Sequence, residues 1–571
     1  MFSALPKDAL EFAEWPWDKI EPYFDELAER SIDAANISAW LKDWDRLAEL
    51  LSETYQRLWV ATTVDTTDQV AGERYQRHLA EILPPAQSAA QKLKEKLIAS
   101  WLEPAGFEVP LRNLRQQAEL FREANLPLLS QELKLNSDYD KIIGAQSVEW
   151  EGREVTLQQI QLEFLNPDRQ VREQAWHLFS QRWLADRGAI NDLWGKLLSL
   201  RRQLAANAGL PDYRAYRWKQ QLRFDYTPDD CLQFHQAIED VVVPAAQRIY
   251  GRRRQRLGLD TLRPWDLEVD PYNLPVLEPF STIEQLESGV GSMFSRVDPQ
   301  LATYYETMRH EGLLDLDNRK GKAPGAYCTE YAAARRPFIF MNAVGIHDDV
   351  QTLVHEAGHA FHVFEVISLP YFQQQEVGLE FCEVASMGME FLASPYLSVS
   401  QGGFYSQQDT ARARIEHLET SLRFWPYMAV VDAFQHWVYT HPEAATDPVN
   451  CDDQWATLWV RFMRGVDWSG LDEEMKTGWH RKLHIHQVTF YYVEYGLAQL
   501  GAMQIWCNSL SNHAEALAAY RRALALGGSV PLPQLFATAG ARFAFDAPTL
   551  RVAVDQAEET IDRLEQQVLA G

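Results

Sequence analysis

Helical spacing of apolar residues constrains this chain more than any other feature. Between 36 and 60, Ile37, Trp40, Leu41, Trp44, Leu47, Leu50 and Leu51 recur at three- and four-residue steps, which lays them on one face of an α-helix. The same period returns over 106–135, 188–208 and 228–257, and from Asp348 to a closing segment at 547–568. Pro84-Pro85 must break or bend the helix it interrupts, because proline removes a donor and clashes with the preceding turn. Two stretches change the period. SVEWEGREVTL (147–157) alternates about Glu151-Gly152 and predicts a short hairpin, and GAYC and RPFIFMN within 324–343 carry β-favouring residues between Gly, Pro and Arg breaks. With 46% hydrophobic residues the chain can bury a large core, which excludes global disorder. The expectation is a mainly α protein with one small β-sheet.

Charge narrows the partners. Asp and Glu outnumber Lys and Arg 80 to 54, a net charge of −26, so neither nucleic acid nor an anionic membrane surface is an expected partner. The five cysteines, Cys231, Cys328, Cys382, Cys451 and Cys507, form no CxxC pair and read as reduced thiols. The first twenty residues lack the basic start and apolar core of a signal peptide, and no apolar run is long enough to span a bilayer. A cytoplasmic location is expected. The sequence leaves the oligomeric state open.

The chemistry concentrates in DDVQTLVHEAGHAFHVFEV (348–366). His355-Glu356-Ala357-Gly358-His359 is HExxH; on a helix its two histidines lie about one turn apart on one face, where both can reach one metal. Glu356 falls beside that face, placed to hold a water. Asp348 and Asp349 suit the helix N-terminus. An ordinary helix with two histidines is the bland alternative, but Val350, Leu353, Val354, Ala357, Ala360, Phe361 and Phe364 make this one apolar on most sides, and buried imidazoles need partners. A catalytic zinc usually keeps three protein ligands and an open position. His362 is tempting, but residues at i, i+4 and i+7 of a straight helix span about 10 Å, too far for one ion. A carboxylate from the next helix, beginning near Gly378-Leu379, is better placed. Of Glu380, Glu383 and Glu390, Glu383 stands among Phe381, Cys382, Val384, Ala385 and Ser386 and is the preferred third ligand.

HEAGHAFH (355–362) followed by EFCEVAS (380–386) resembles the thimet oligopeptidase and oligoendopeptidase F family of zinc metallopeptidases, more closely its oligoendopeptidase F branch. KAPGAYC (322–328), PFIFMN (337–342), DRQVREQAW (168–176), GLPDYRAY (209–216) and HIHQVTFYYVEYGLAQLGA (484–502) have the same look, so the likeness covers roughly 110–560. The resemblance implies a two-lobed helical clamshell with a deep central channel. It divides the chain into an N-terminal helical region (1–110), a helical cap with a short hairpin (111–190) and a zinc-peptidase catalytic region (191–571). It implies one Zn2+ per chain on His355, His359 and Glu383, Glu356 as catalytic base, and endoproteolysis of short peptides. His486 with Tyr491, Tyr492 or Tyr495 stands where the family places transition-state donors; of these Tyr492 and Tyr495 are the preferred catalytic pair and Tyr491 a substrate contact. At Glu494 the chain departs from the family's frequent tyrosine, which leaves the choice of tyrosine open. The segment around Gly325, Ala326 and Tyr327 is expected to bind substrate backbone as an edge strand. The competing readings are a helical HExxH zinc carboxypeptidase and a non-catalytic, metal-stabilised helical binding protein.

Overall fold

A computed structural model describes residues 1–570, and they are predominantly helical. The N-terminal amphipathic pattern forms the Ile37–Val64 helix, whose Trp40, Leu41, Leu47 and Leu50 are fully buried. Pro84 and Pro85 fall in the first turn of the Leu83–Ala99 helix, where the missing N–H costs nothing, directly after a π-turn over His78–Ile82. The single helix expected over 106–135 is two, Glu108–Leu120 and Leu126–Gly144, with Phe121 at extended ψ between them and Pro127 starting the second. Residues 147–156 form the hairpin of β1 (Ser147–Trp150) and β2 (Arg153–Thr156), with Glu151 and Gly152 both at positive φ in the turn.

The second sheet has three strands, β3 (Leu314–Asp317), β4 (Tyr327–Tyr331) and β5 (Arg336–Ala343), in the order β3-β5-β4. β5 is central and almost wholly buried, pairing parallel with β3 and antiparallel with β4. β4 is thus an edge strand. It is held from one side by the N-terminal helix: Thr63 Oγ1 and Tyr327 Oη are 2.5 Å apart, Trp59 packs on the Tyr327 ring, Arg57 lies over Tyr331, and Glu53 accepts a hydrogen bond from the Ala334 amide.

Three large cores organise the packing. One gathers residues from Leu5 to Leu114 together with Tyr371. A second surrounds the three-stranded sheet and the helices His347–Val366 and Leu379–Ala393. The third is built on the 34-residue Gln407–Thr440 helix, which packs against Pro228–Arg256, Tyr492–Ser511 and Ala547–Ala570. Met387, Leu532 and Phe543 touch both the second and third cores, so these two are continuous behind the site described next.

Candidate metal centre and active site

The His347–Val366 helix begins at a turn pinned by Asp349, whose carboxylate accepts the amides of Val344, Gly345 and Ile346 at 2.8, 2.8 and 3.0 Å. Asp349 therefore acts from inside the first turn rather than as the N-cap itself. The helix then crosses Leu379–Ala393 at Gly358. A Cβ built there would lie 2.6 Å from both the Ala385 carbonyl oxygen and the Ser386 Cα, closer than any side chain allows. Glycine at this position lets the two backbones touch, and that contact brings Glu383 to the histidines.

His355 Nε2 and His359 Nε2 stand 3.5 and 3.7 Å from the same Glu383 oxygen, Oε2. Ligand atoms of all three lie within 4.8 Å of one another. Two imidazole nitrogens and one carboxylate converging from two helices make a donor set suited to zinc with a position left open. The other face of His355 is fixed: Nδ1 sits 2.6 Å from Glu390 Oε1, and Glu390 Oε2 sits 2.8 Å from His417 Nε2. A carboxylate behind a ligating imidazole sets its tautomer and strengthens it as a ligand. Burial opposes charge on Glu390, but His355 and His417 hold it down to about 2. Burial likewise opposes charge on Glu383, and the hydrogen bond from His355 with the nearby His359 holds it below its ordinary value. Desolvation pushes His359 down to about 4, leaving a neutral imidazole available to a cation. Glu356 lies beside this group, next to the Cys328 backbone of β4, and burial raises it to about 7.

The structure sorts the remaining candidates. His362 is buried against Phe381 and stands outside the converging group. Tyr491 Oη reaches within 3.4 Å of Glu383 Oε1, and Tyr495 packs edge-on to Tyr491, 4.9 Å between ring centres. Tyr492 turns the other way, onto Phe424 and Tyr427 with Lys482 over its ring. His486 is fully buried, stacked on Tyr139 and beside Trp194 and Trp479, in an aromatic core rather than at the metal-type group. Its place near the tyrosines is taken by His484, whose ring faces Tyr491, Tyr492 and Tyr495. Thus Tyr491 is the side chain that reaches the cluster, with Tyr495 beside it and His484, rather than His486, packed against these tyrosines. Gly325, at φ +97°, and Ala326 lead into edge strand β4, with open space at Gly325; the Tyr327 side chain is turned away toward Trp59 and Phe340.

A second group of ligand-type side chains, Cys231, Asp432 and His436, is deeply buried in the third core. There His235 Nε2 and His436 Nε2 lie 2.8 and 3.3 Å from the same Asp432 oxygen and Arg214 approaches His436 Nδ1, so the group reads as a core network around one buried carboxylate.

Residues 164–554 match peptidase family M3. The chain belongs to peptidase family M3. The family is one of metallopeptidases, which implies a metal cofactor, and the converging donors above fit one. Oligopeptidase PepF of Bacillus subtilis (strain 168) is 23% identical over 335 residues, 57% of this chain but only 48% of that relative. Over their full lengths, a solved structure of PZ peptidase A with inhibitor 2 superposes with a TM-score of 0.87 at 26% identity, covering 99% of each chain. A structure described as oligoendopeptidase F gives 0.87 at 27% identity over 98% of each. The M3 match begins at 164, so the helical region that braces β4 lies outside it. Among the described residues no helix is long and apolar enough to cross a membrane.

Proposed function

We propose that this M3 protein is a zinc-dependent endopeptidase that hydrolyses internal bonds of short, unfolded peptides in the cytoplasm. The observation that carries the reading is the convergence of His355, His359 and Glu383 with a buried Glu356 beside them. Zinc, held by these three side chains, would supply Lewis-acid polarisation of a peptide carbonyl and of a water. Glu356, raised to about 7 by burial, is suited to take the proton of the attacking water and hand it to the leaving amine. Tyr491, with His484 and Tyr495 behind it, is placed to donate a hydrogen bond to the carbonyl oxygen as negative charge grows on it. The free edge of β4 offers main-chain donors and acceptors to an extended peptide, with Gly325 allowing close approach. Five free cysteines fit a reducing compartment.

The test is mass spectrometry of a mixed peptide digest, with and without a zinc chelator, alongside an internally quenched peptide blocked at both ends. Chelator-sensitive cleavage of the blocked peptide is the expected result. Removal of single C-terminal residues with the blocked peptide left intact would favour a carboxypeptidase, and no cleavage at all would overturn the reading.

A further inference from the structure

His355 is gripped on both sides by carboxylates of one helix, and the second of them has a partner of its own from another part of the molecule. Glu383 and Glu390 lie about two turns apart on Leu379–Ala393, with Glu383 facing Nε2 of the imidazole and Glu390 facing Nδ1. Glu390 Oε1 accepts from His355 Nδ1 at 2.6 Å, which leaves the Nε2 lone pair free for a cation. The other oxygen, Oε2, is 2.8 Å from His417 Nε2. His417 belongs to the Gln407–Thr440 helix of the third core, and its ring packs on buried Phe391 with 4.5 Å between ring centres. The Glu390 and His417 side chains are 15% and 11% exposed, so water has little access to satisfy either. His359 has no such backing: among the described residues, Glu383 at 3.7 Å is the one carboxylate within 4.0 Å of its ring nitrogens.

We propose that His417 is a positioning residue for the metal: by donating to Glu390 Oε2 it fixes that carboxylate, and through it the tautomer and ring angle of His355. The inference rests on the reading of His355 as a metal ligand. A buried carboxylate that loses the donor at one oxygen is left with an unsatisfied acceptor and pivots toward any other donor within reach. Such a pivot takes Oε1 off His355 Nδ1. The ring is then free to turn or to carry its proton on Nε2, and in that tautomer it cannot ligate. Metal binding is thereby tied to the third core, through a helix that supplies no ligand.

The experiment measures zinc affinity of the full chain and its variants by competition with a chromophoric chelator, with folding checked by circular dichroism. His417→Leu, which removes the donor, should weaken zinc about ten- to a hundredfold, the range for losing a partner behind a metal ligand. His417→Gln, whose amide nitrogen reaches the place of Nε2, should keep most of the affinity. Glu390→Ala should weaken zinc to a similar degree, and the Glu390→Ala/His417→Leu double variant no further, because the two residues act in series. The visible spectrum of the cobalt-loaded protein, which reports ligand geometry, should shift in His417→Leu and not in His417→Gln. If His417→Leu does not fold, His417→Asn, too short to reach Glu390, makes the same measurement. Unchanged affinity and spectrum in a folded donor-less variant, or losses that add in the double variant, would overturn the role of His417. His355→Ala separates the two readings. Zinc lost there but kept in His417→Leu rejects the role of His417 alone, whereas zinc kept in His355→Ala shows the centre itself misread and rejects both.

Discussion

Gly358→Ala tests the geometry most directly, because it adds one carbon and no chemistry. The new Cβ would sit 2.6 Å from two backbone atoms of the neighbouring helix. That is about 0.8 Å short of ordinary contact, and neither a carbonyl oxygen nor a Cα can swing aside as a flexible side chain could. The helices must separate by roughly that distance, at a cost of about 1–3 kcal/mol in overpacking. The protein is large enough to remain folded. Metal sites, however, tolerate only about ±0.2 Å in ligand distance, so a shift several times larger at Glu383 should unseat the ion. The expected outcome is a folded protein with metal affinity lowered at least about tenfold and activity partly recovered by excess zinc. Metal content after dialysis, by atomic absorption, and kcat against added zinc check it. A folded variant with full metal content and unchanged kcat would refute the argument that this helix contact sets the ligand geometry.

Four further outcomes follow from the site. Glu356→Gln should keep metal and lose turnover by about 10²- to 10⁴-fold; loss of metal would contradict its role as base. Glu383→Ala should release the metal, and normal content would point to His362. Tyr491→Phe should lower kcat by about 10²- to 10³-fold with little change in KM, whereas Tyr492→Phe should change neither; the reverse pattern in steady-state kinetics would restore the tyrosine favoured by sequence. Burial favours the neutral form of Glu356 and raises it to about 7, so kcat/KM should fall as pH drops below about 7; a plateau held down to about pH 5 would mean the base titrates like an exposed carboxylate.

Much of this is legible in the sequence. Periodicity identified the long helices because their apolar stripes are buried, and HExxH located the centre because four-residue spacing is a property of the helix alone. Glu383 was legible from its apolar neighbours. What the sequence leaves open is what only three dimensions decide. His484 and His486 flank the buried Ile485 in a helix of four residues, and nothing local says which imidazole faces the tyrosines. Phe490, at φ +61°, turns the chain just before Tyr491, which defeats any count of helical faces into the tyrosine run. Glu390 reads as one acid among several until His355 and His417 are seen on either side of it. The break at Phe121 left only a weak mark, since the helical period resumes after Pro127.

The brace between the N-terminal helix and β4 bears on how this protein can be divided. Thr63, Trp59 and Arg57 hold the strand that borders Glu356, and Glu53 the turn that follows it, yet they precede the M3-matching stretch by about a hundred positions. A boundary near 110 is therefore a poor place to cut. A truncated protein starting there would strip one side of β4, exposing Tyr327 and Tyr331 and loosening the backbone against which Glu356 is set. A change at Trp59 should therefore be felt at Tyr327, and a chimera joining the first hundred residues of one relative to the remainder of another should carry a mismatched wall beside the metal-type cluster.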